Sequence, residues 1–326
     1  MVWTRPACLL SLLTAALLRP AIVHGEEPVH AASVRAAVAK AVPYLEERGV
    51  WWIEQKKCVT CHRVGNMIWS LTAARDAGVT LTERPEDRWD WAAADSLRAK
   101  DDGTLTGAGN REGVAQLVLV AKQLRSDDER AETLRELREV LRAGQADDGS
   151  WKPGGQLPMQ RRPEAETTVV STAWIALALA GNESSAEAVR QAADFVAAAE
   201  PGITTERAAV TLLLAEQISD DETAAAQRDA LLATQNPDGG WGWVIGEESD
   251  ALGTGLAVYA LSRRGETPTQ SEAMQRAVQF LLDTQTDRGH WPTVGTKKNR
   301  GNAVHETSTY WATAWAVQAL AASISE

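Results

Sequence analysis

Two cysteines and a histidine stand close together in the segment Cys58-Val59-Thr60-Cys61-His62. This spacing allows two thiols to add to the two vinyl groups on one edge of a porphyrin. It also allows the next imidazole to reach the iron as the proximal ligand. The segment therefore predicts one covalently attached haem c, with Cys58 and Cys61 forming the thioethers and His62 binding the iron.

The cysteine pair has two other interpretations. A redox dithiol would need a βαβ setting, which the flanking sequence does not show. A four-cysteine zinc site would need a second pair, and the only other cysteine is Cys8. Haem attachment is the interpretation that we keep.

Residues 1–25 have the features of a secretory signal peptide. Arg5 precedes an apolar run from Cys8 to Leu18, and small residues follow near Gly25. The apolar run is too short for a bilayer span. We therefore expect a protein that is periplasmic or otherwise exported, with no transmembrane span in the mature chain and with residues 26–326 as a single domain.

The charge balance limits the partners. The chain has 33 basic and 44 acidic residues and a formal net charge of −11. This excess of negative charge argues against a nucleic acid as partner, since the phosphate backbone would be repelled. With a haem present, the expected partner is a redox protein.

A repeated phrase explains why the chain has thirteen tryptophans but only three tyrosines and two phenylalanines. In each copy an amphipathic helix is followed by glutamine, then by glycine, then by tryptophan, and a small-residue apolar helix comes next. We expect the glycine to stop the first helix, the tryptophan to pack over the turn, and the glutamine to bond freed backbone groups. The copies are 145–151, 235–241 and 285–291.

This phrase resembles the QW repeat of the squalene-cyclase and prenyltransferase superfamily. The resemblance implies an all-α fold, an α6/α6 toroid in which outer helices surround inner helices and a funnel runs along the axis. We therefore divide the chain into six hairpins. The predicted pairs, outer helix first, are 32–47 with 67–77, 87–99 with 111–123, 128–143 with 168–180, 185–199 with 205–217, 222–234 with 251–262, and 271–284 with 308–321.

The toroid gives the haem motif a position. Residues 58–62 occupy the first outer-to-inner turn, where the repeats carry glycine and tryptophan. The chemistry of the family is not evident, because the chain has neither the Asp-x-Asp-Asp string of the cyclases nor a cysteine outside the motif for a prenyltransferase zinc site. Three acids begin predicted inner helices and are interpreted as N-caps or complements of the helix dipole: Glu166, Asp250 and Glu306.

The second axial ligand of the iron remains open among five candidates. Met67 follows His62 by only five residues, about 7.5 Å of helix, so it would have to round the porphyrin edge. Met274 lies in a predicted outer helix and Met159 in a long loop. Ring closure places hairpin six beside hairpin one, so the remaining candidates are His290 and His305, of which we favour His305 as the distal ligand.

These observations predict a haem-binding, electron-transferring protein that resembles a c-type cytochrome on a cyclase-like toroid. One alternative is a haem-dependent oxidoreductase that acts on a small or apolar molecule in the funnel. Another is a non-catalytic binding protein. A functional terpene cyclase or zinc prenyltransferase is not expected.

Overall fold

The computed structural model describes residues 1, 29–57, 59, 63–124, 128–155, 157–299, 301 and 303–324. These residues form twelve α-helices, and within these ranges the only β-type pairing is six isolated bridges. In chain order the helices are α1 Val29–Lys56, α2 Val64–Asp76, α3 Pro85–Leu97, α4 Arg111–Ala121, α5 Asp128–Arg142, α6 Glu164–Leu179, α7 Ala186–Ala198, α8 Thr205–Ile218, α9 Asp221–Ala233, α10 Ala251–Arg263, α11 Glu272–Thr284 and α12 Glu306–Ser323.

Burial separates the helices into an inner and an outer set. The inner helix α8 buries every residue from Thr205 to Ala215. The outer helix α11 buries only Met274, Ala277, Val278 and Leu281, which recur on one face of a helix. The even-numbered helices therefore form an inner ring, and the odd-numbered helices cover it with one apolar stripe each.

The inner ring is closed. Each inner helix contacts the next one, and α12 contacts both α10 and α2. The hydroxyl of Tyr310 in α12 also donates to the carbonyl of Leu45 in α1, with 3.1 Å between the oxygens. The prediction of an all-α toroid of six hairpins, with the last hairpin beside the first, is confirmed.

The three repeat turns have the same hydrogen bonds. In each turn the indole N–H of the tryptophan donates to a leucine carbonyl near the end of the outer helix, and a threonine of the inner helix accepts from the tryptophan backbone. The indole bonds are Trp151 to Leu141 (2.7 Å), Trp241 to Leu231 (2.8 Å) and Trp291 to Leu281 (2.8 Å). The threonines are Thr172, Thr254 and Thr313.

Each repeat glutamine joins two hairpins. Its amide donates to the carbonyl of the turn glycine, as expected, and also to a carbonyl in the next outer helix around the ring. The second bonds, all 2.8 Å long, join Gln145 to Ala188, Gln235 to Ala273 and Gln285 to Ala37. The repeat is thus a joint between neighbouring hairpins, in addition to closing its own turn.

The repeat glycines have positive φ, at +85° for Gly149, +90° for Gly239 and +82° for Gly289. They do not stop the outer helices, as the sequence suggested. The helix α5 ends at Arg142, well before Gly149, and this glycine instead closes a tight turn onto the carbonyl of Ala146. A side chain would be strained there, because L residues rarely adopt this backbone conformation.

The first outer helix is longer than predicted. It continues through Pro43 to Lys56, and so includes Trp52 and the buried Ile53. Among the helices that the structure describes, none has the length and apolarity needed to cross a membrane. The predicted signal segment lies outside the described residues apart from Met1, and export therefore stays a prediction.

Candidate functional site

A cavity opens at the rim where the inner helices begin. Its deeper wall is aromatic and apolar, formed by Trp174, Trp311, Trp315 and Val170. Nearer the mouth the lining is polar. The polar lining residues include Glu112, Gln116, Gln160, Arg162, Ser171, Glu206, Lys297, His305, Thr307 and Ser308.

Aromatic rings from four inner helices pack together below the cavity. The ring of Trp315 lies 5.6 Å from Trp69, 5.6 Å from Trp174 and 5.5 Å from Tyr259, measured between centroids. Offset and edge-on ring contacts at these distances are favourable and fix the positions of the rings. The site is therefore a cup with an aromatic floor.

One wall of the cup holds a buried ion pair. The guanidinium of Arg162 donates to the carboxylate of Glu206 over 2.8 Å, and the two side chains are 1% and 5% exposed. Two indole N–H groups also donate to this carboxylate, from Trp174 at 3.1 Å and Trp243 at 3.3 Å. Three donors thus occupy both oxygens of Glu206 and fix its carboxylate in place.

A second buried carboxylate on the wall has a free oxygen. Glu112, near the start of α4, is 6% exposed, and its Oε1 accepts from the backbone N–H of Gly154 over 3.0 Å. Across the described chain no donor or acceptor reaches its Oε2. Leaving a buried carboxylate oxygen unpaired costs free energy, so this atom is suited to contact a ligand.

The sequence did not single out Glu112 or Glu206, although a signal was present. Both acids occur in the first turn of an inner helix, the same position that drew attention to Glu166 and Glu306. Their importance comes from facing the axis of the ring, which depends on the rotation of each helix and is not visible in the sequence.

Of the three acids that were interpreted as N-caps or dipole complements, one is an N-cap. Asp250 caps α10 by accepting from the N–H groups of Leu252 and Gly253, both at 2.8 Å. Burial raises the pKa of Asp250 to about 6, against the opposing effect of its backbone donors. It binds its own loop and is absent from the cavity lining, so it has a structural role.

Glu166 and Glu306 do not cap their own helices. The Oε1 of Glu166 accepts from the N–H groups of Ile203 and Thr204, and so holds the turn of the following hairpin. Glu306 accepts two bonds from Arg63, at 2.8 and 2.5 Å, and one from Arg48. Both still lie in a first turn, where a negative charge complements the helix dipole.

The predicted haem ligands Cys58, Cys61 and His62 lie outside the described residues, so haem attachment stays a prediction. Val59 within this segment and Arg63 directly after it are described, and both contact the rim of the ring. The side-chain amide of Asn110 donates to the carbonyl of Val59 over 2.8 Å. Arg63 is fully buried and binds Glu306 at the start of α12.

His305, the predicted distal ligand, is the N-cap of α12. Its Nδ1 accepts from the backbone N–H of Thr307 over 3.3 Å, and its side chain lines the cavity. It is adjacent in sequence to Glu306, the partner of Arg63, so the expected nearness of the two hairpins at this rim is present. Iron binding by His305 stays a prediction.

The other candidate iron ligands have separate environments. The ring of His290 stacks on Tyr44 with 4.8 Å between centroids, and burial lowers its pKa. Met67 and Met274 are fully buried, and Met159 is 48% exposed. Within the described residues no cluster of three or more histidine, cysteine, aspartate or glutamate side chains could hold a metal ion.

Comparison with protein families connects the fold to cyclases. Residues 193–326 match the squalene-hopene cyclase C-terminal domain, and residues 109–216 match the squalene-hopene cyclase N-terminal domain. These matches support the expected resemblance to a terpene-cyclase-like toroid.

Two curated relatives are drimenyl diphosphate synthases. The protein from Streptomyces showdoensis is 29% identical over 250 residues, covering 69% of this chain and 45% of the relative. The protein from Streptantibioticus cattleyicolor is 46% identical over 59 residues, covering 18% of this chain and 10% of the relative. The chain thus spans less than half the length of the relatives that it matches.

Solved structures share the fold at low identity. The type II terpene cyclase MstE from Scytonema, in complex with merosterolic acid A, has a TM-score of 0.56 and 14% identity, with 90% of this chain and 97% of that chain covered. The polysaccharide lyase BACCELL_00875 has a TM-score of 0.58 and 11% identity over 90% and 96% of the two chains. At such identities the likeness shows the fold alone.

These matches correct the predicted function. The chain was expected to be a haem electron-transfer protein, or else a haem oxidoreductase or a non-catalytic binding protein, and not a terpene cyclase. That prediction is wrong, because the curated relatives are drimenyl diphosphate synthases and both matching family domains belong to squalene-hopene cyclase.

Proposed function

We propose that this chain is a terpene-cyclase-like protein that binds an isoprenoid in the central cavity and promotes its cyclisation by proton transfer. The names of its relatives support the substrate class. The chain spans less than half of those relatives, so the chemistry is inferred from the residues that line the cavity.

The floor of the cup suits an isoprenoid chain. Trp174, Trp311 and Trp315 offer wide apolar surfaces, and burying apolar area of a ligand against them is favourable at about 25 cal/mol per Å². Aromatic faces also attract positive charge. A carbocation formed above these rings would therefore be stabilised where water is excluded.

Proton transfer needs a carboxyl group with a free oxygen. The chain has no Asp-x-Asp-Asp string, so another acid has to act. Both oxygens of Glu206 already accept hydrogen bonds, Oε2 from Arg162 and Trp243 and Oε1 from Trp174, so neither is free to face a substrate. Glu112 has a buried, unpaired Oε2 at the cavity wall, and this single observation carries the proposal.

The reaction is an isomerisation and balances without a co-reactant. The O–H bond of the protonated Glu112 breaks as a C–H bond forms at one carbon of a substrate double bond, and the other carbon becomes cationic. A second double bond supplies the electron pair for a new C–C bond. The final cation loses a proton to solvent, and Glu112 regains one from solvent.

The test separates binding from chemistry. The purified protein is titrated with farnesene or squalene while its tryptophan fluorescence is recorded, and the products are analysed by gas chromatography with mass spectrometry. The variant Glu112→Gln keeps the shape of the side chain but removes the acid. We expect it to bind like the wild type and to form product at least about 100-fold more slowly, the usual contribution of a positioned acid.

The matched control is Glu164→Gln, which neutralises an exposed acid in the first turn of α6. It should retain both binding and product formation. Absence of any isoprenoid binding would overturn the proposal as a whole. Full activity in Glu112→Gln would remove Glu112 as the acid.

A further inference from the structure

Two loops meet over the mouth of the cavity from opposite sides of the ring. Residues 157–162 lie between α5 and α6 in the third hairpin, and residues 293–299 lie between α11 and α12 in the sixth. In a ring of six hairpins the third and the sixth face each other across the axis. We call these two segments together the strap. Both segments supply residues that line the cavity, which are Leu157, Gln160, Arg162, Gly295, Thr296 and Lys297.

The two segments pair with each other at the centre of the strap. Two backbone N–H groups donate to carbonyls of the opposite segment, Arg161 to Thr296 over 2.7 Å and Lys298 to Met159 over 3.0 Å. They form an antiparallel bridge between Gln160 and Lys297, whose side chains both line the cavity. Among the described residues the backbone pairing between the segments consists of these two bonds, and each such bond has a modest net strength.

The ends of the strap are anchored in the walls of the cavity. Arg162 is 1% exposed and donates to Glu206, and Gly154, just before the first segment, donates to Glu112. The second segment begins at Thr293, which is 2% exposed and donates its N–H to a threonine hydroxyl of α12 over 3.1 Å. The centre can therefore separate without releasing either carboxylate of the cavity wall.

One further contact at the centre is a screened ion pair. Arg161 donates to Glu247 of the fifth hairpin over 2.9 Å, but the Glu247 side chain is 46% exposed. An ion pair in contact with solvent contributes little to stability. The centre of the strap is thus held by weaker contacts than its ends, which is the condition for local opening.

The packing below the cavity leaves the strap side as the way in. The rings of Trp69, Trp174, Tyr259 and Trp315 lie 5.5–6.2 Å apart between centroids and come from four of the six inner helices. These rings fill the axis beneath the cavity. A ligand therefore reaches the aromatic floor from the rim, where the strap crosses its path.

We propose that the strap is the gate of the cavity, and that Gln160 and Lys297 separate to admit an isoprenoid and pair again above it. This inference rests on the proposed function for the identity of the ligand. Lids that close over a bound substrate exclude water from the reaction. Closure of the strap would protect a carbocation in the same way.

A disulfide across the bridge tests the gate. The two backbone bonds flank Gln160 and Lys297, so their Cα atoms lie about 4.5 Å apart, within the range of about 4.4–6.8 Å that a disulfide requires. The full-length variant Gln160→Cys/Lys297→Cys is closed with oxidised glutathione or opened with dithiothreitol. Stopped-flow tryptophan fluorescence then follows the binding of farnesene. We expect association to be at least about 100-fold slower in the oxidised form, because the locked protein has no open state to bind.

The chain provides a matched control in the same loop. Val294 and Val304 form a bridge with the same bonding pattern, but both belong to the sixth hairpin and neither lines the cavity. Oxidation of Val294→Cys/Val304→Cys should leave the association rate unchanged. The single variants Gln160→Cys and Lys297→Cys, treated with the same oxidant, control for the native cysteines.

Hydrogen exchange on the wild type tests the gate without a ligand and without a variant that could misfold. The N–H groups of Arg161 and Lys298 should exchange at least about 100-fold faster than those in the middle of α8, because local opening exposes them. Exchange as slow as that of α8 would overturn the inference. So would equal association rates in the oxidised and reduced forms, or equal slowing by the control disulfide, while the proposed function would survive. Absence of farnesene binding in every form would reject the proposed function and the ligand named here, and fast exchange would then still support a strap that opens.

Discussion

The repeat turns and the first outer-to-inner turn join the same kinds of helices with different chemistry. The contacts that the repeat turns share are neutral, with a buried indole, an amide and a glycine of positive φ. In the first turn a buried cation takes part. Arg63 binds Glu306, and its guanidinium lies 5.0 Å from the ring of Trp52 and 4.3 Å from the ring of Tyr310.

This difference shows that the toroid does not need a QW phrase at every joint. The bonds that the three repeat turns share involve no charged group and should themselves respond little to pH and salt, while single turns add charged contacts such as Arg276 to Gln235 and Lys40 to Asp287. The first joint should respond to both, since part of its stability comes from an ion pair. It is also the joint whose segment contains Cys58, Cys61 and His62.

The largest expected effect is all-or-none and concerns the haem that is predicted at the first turn. If the predicted haem c is attached there, the wild type will carry haem stain on a denaturing gel and the double variant Cys58→Ser/Cys61→Ser will carry none. Loss of both thiols removes both thioether bonds. Equal staining of the two proteins would reject covalent attachment, and absence of stain in both would show that this turn is free of haem.

If haem is attached, His305→Ala tests the predicted distal ligand. The ferric optical and paramagnetic resonance spectra should change from low-spin to high-spin, because one strong axial ligand is lost. His290→Ala is the matched control. A low-spin signal that persists in His305→Ala would exclude this residue.

The next largest effect is expected at a repeat turn. Trp241→Ala removes a side chain that is 1% exposed, together with its bond to Leu231, and should lower the free energy of unfolding by about 3–5 kcal/mol. Denaturant unfolding followed by circular dichroism measures it. Trp51→Ala, at a tryptophan that is 39% exposed, is the control and should lose far less. Equal losses would mean that the repeat tryptophan is not a structural strut.

A smaller effect is expected at the first turn. Arg63→Met keeps the bulk of the side chain but breaks the pair with Glu306, and we expect a loss of about 2 kcal/mol in the free energy of unfolding. Fully buried pairs cost more to break, but the Glu306 side chain is 43% exposed, so solvent screens part of the interaction. Arg190→Met, in an exposed pair on α7, should unfold like the wild type. A loss as large as that of Trp241→Ala would contradict this ranking.

The smallest effect is a pH dependence that comes from Glu306 at the first turn. Burial alone would raise the pKa of Glu306, but the bonds and charges of Arg63 and Arg48 outweigh it and lower the pKa. The stability from this group is therefore present above the unfolded pKa, about 4.3, and is lost as the pH falls through the lower folded value. The free energy of unfolding of Glu306→Gln should converge with that of the wild type in this acid range. A constant difference between the two proteins at all pH values would contradict the assignment.

Much of the fold could be predicted because the repeat is local. Glutamine, glycine and tryptophan at fixed spacing define a turn, and six hairpins of similar length close one ring. The site could not be predicted, because its contacts join distant segments. Arg162 and Glu206 are 44 residues apart in the sequence, and Glu166 is 38 residues from Thr204, whose N–H donates to it. The length of α1 was also missed, since the predicted outer helix ended at Glu47 and the observed one continues to Lys56.

The predicted function was wrong for a related reason. A short motif in one turn was given more weight than three copies of a phrase that extends over most of the chain. The sequence showed the absence of Asp-x-Asp-Asp, but it could not show that Glu112 brings an unpaired carboxylate oxygen to the cavity. An acid that acts from outside an Asp-x-Asp-Asp string can be recognised only when the arrangement of the inner helices around the ring axis is known.

Closure of the ring has a consequence for how the protein is made. The seam joins Gln285 to Ala37, 248 residues apart in the chain, and Gly289 lies so close to the carbonyl of Lys40 that a β-carbon would come within 1.9 Å of it. A ribosome adding about 5–20 residues per second needs roughly 12–50 s to make the second half of that seam after the first. During this time the faces of α1 and α2 that pack against α12 have no partner. The first hairpin to be synthesised is therefore among the last to be completed, and it is the part of the nascent chain that most needs a chaperone.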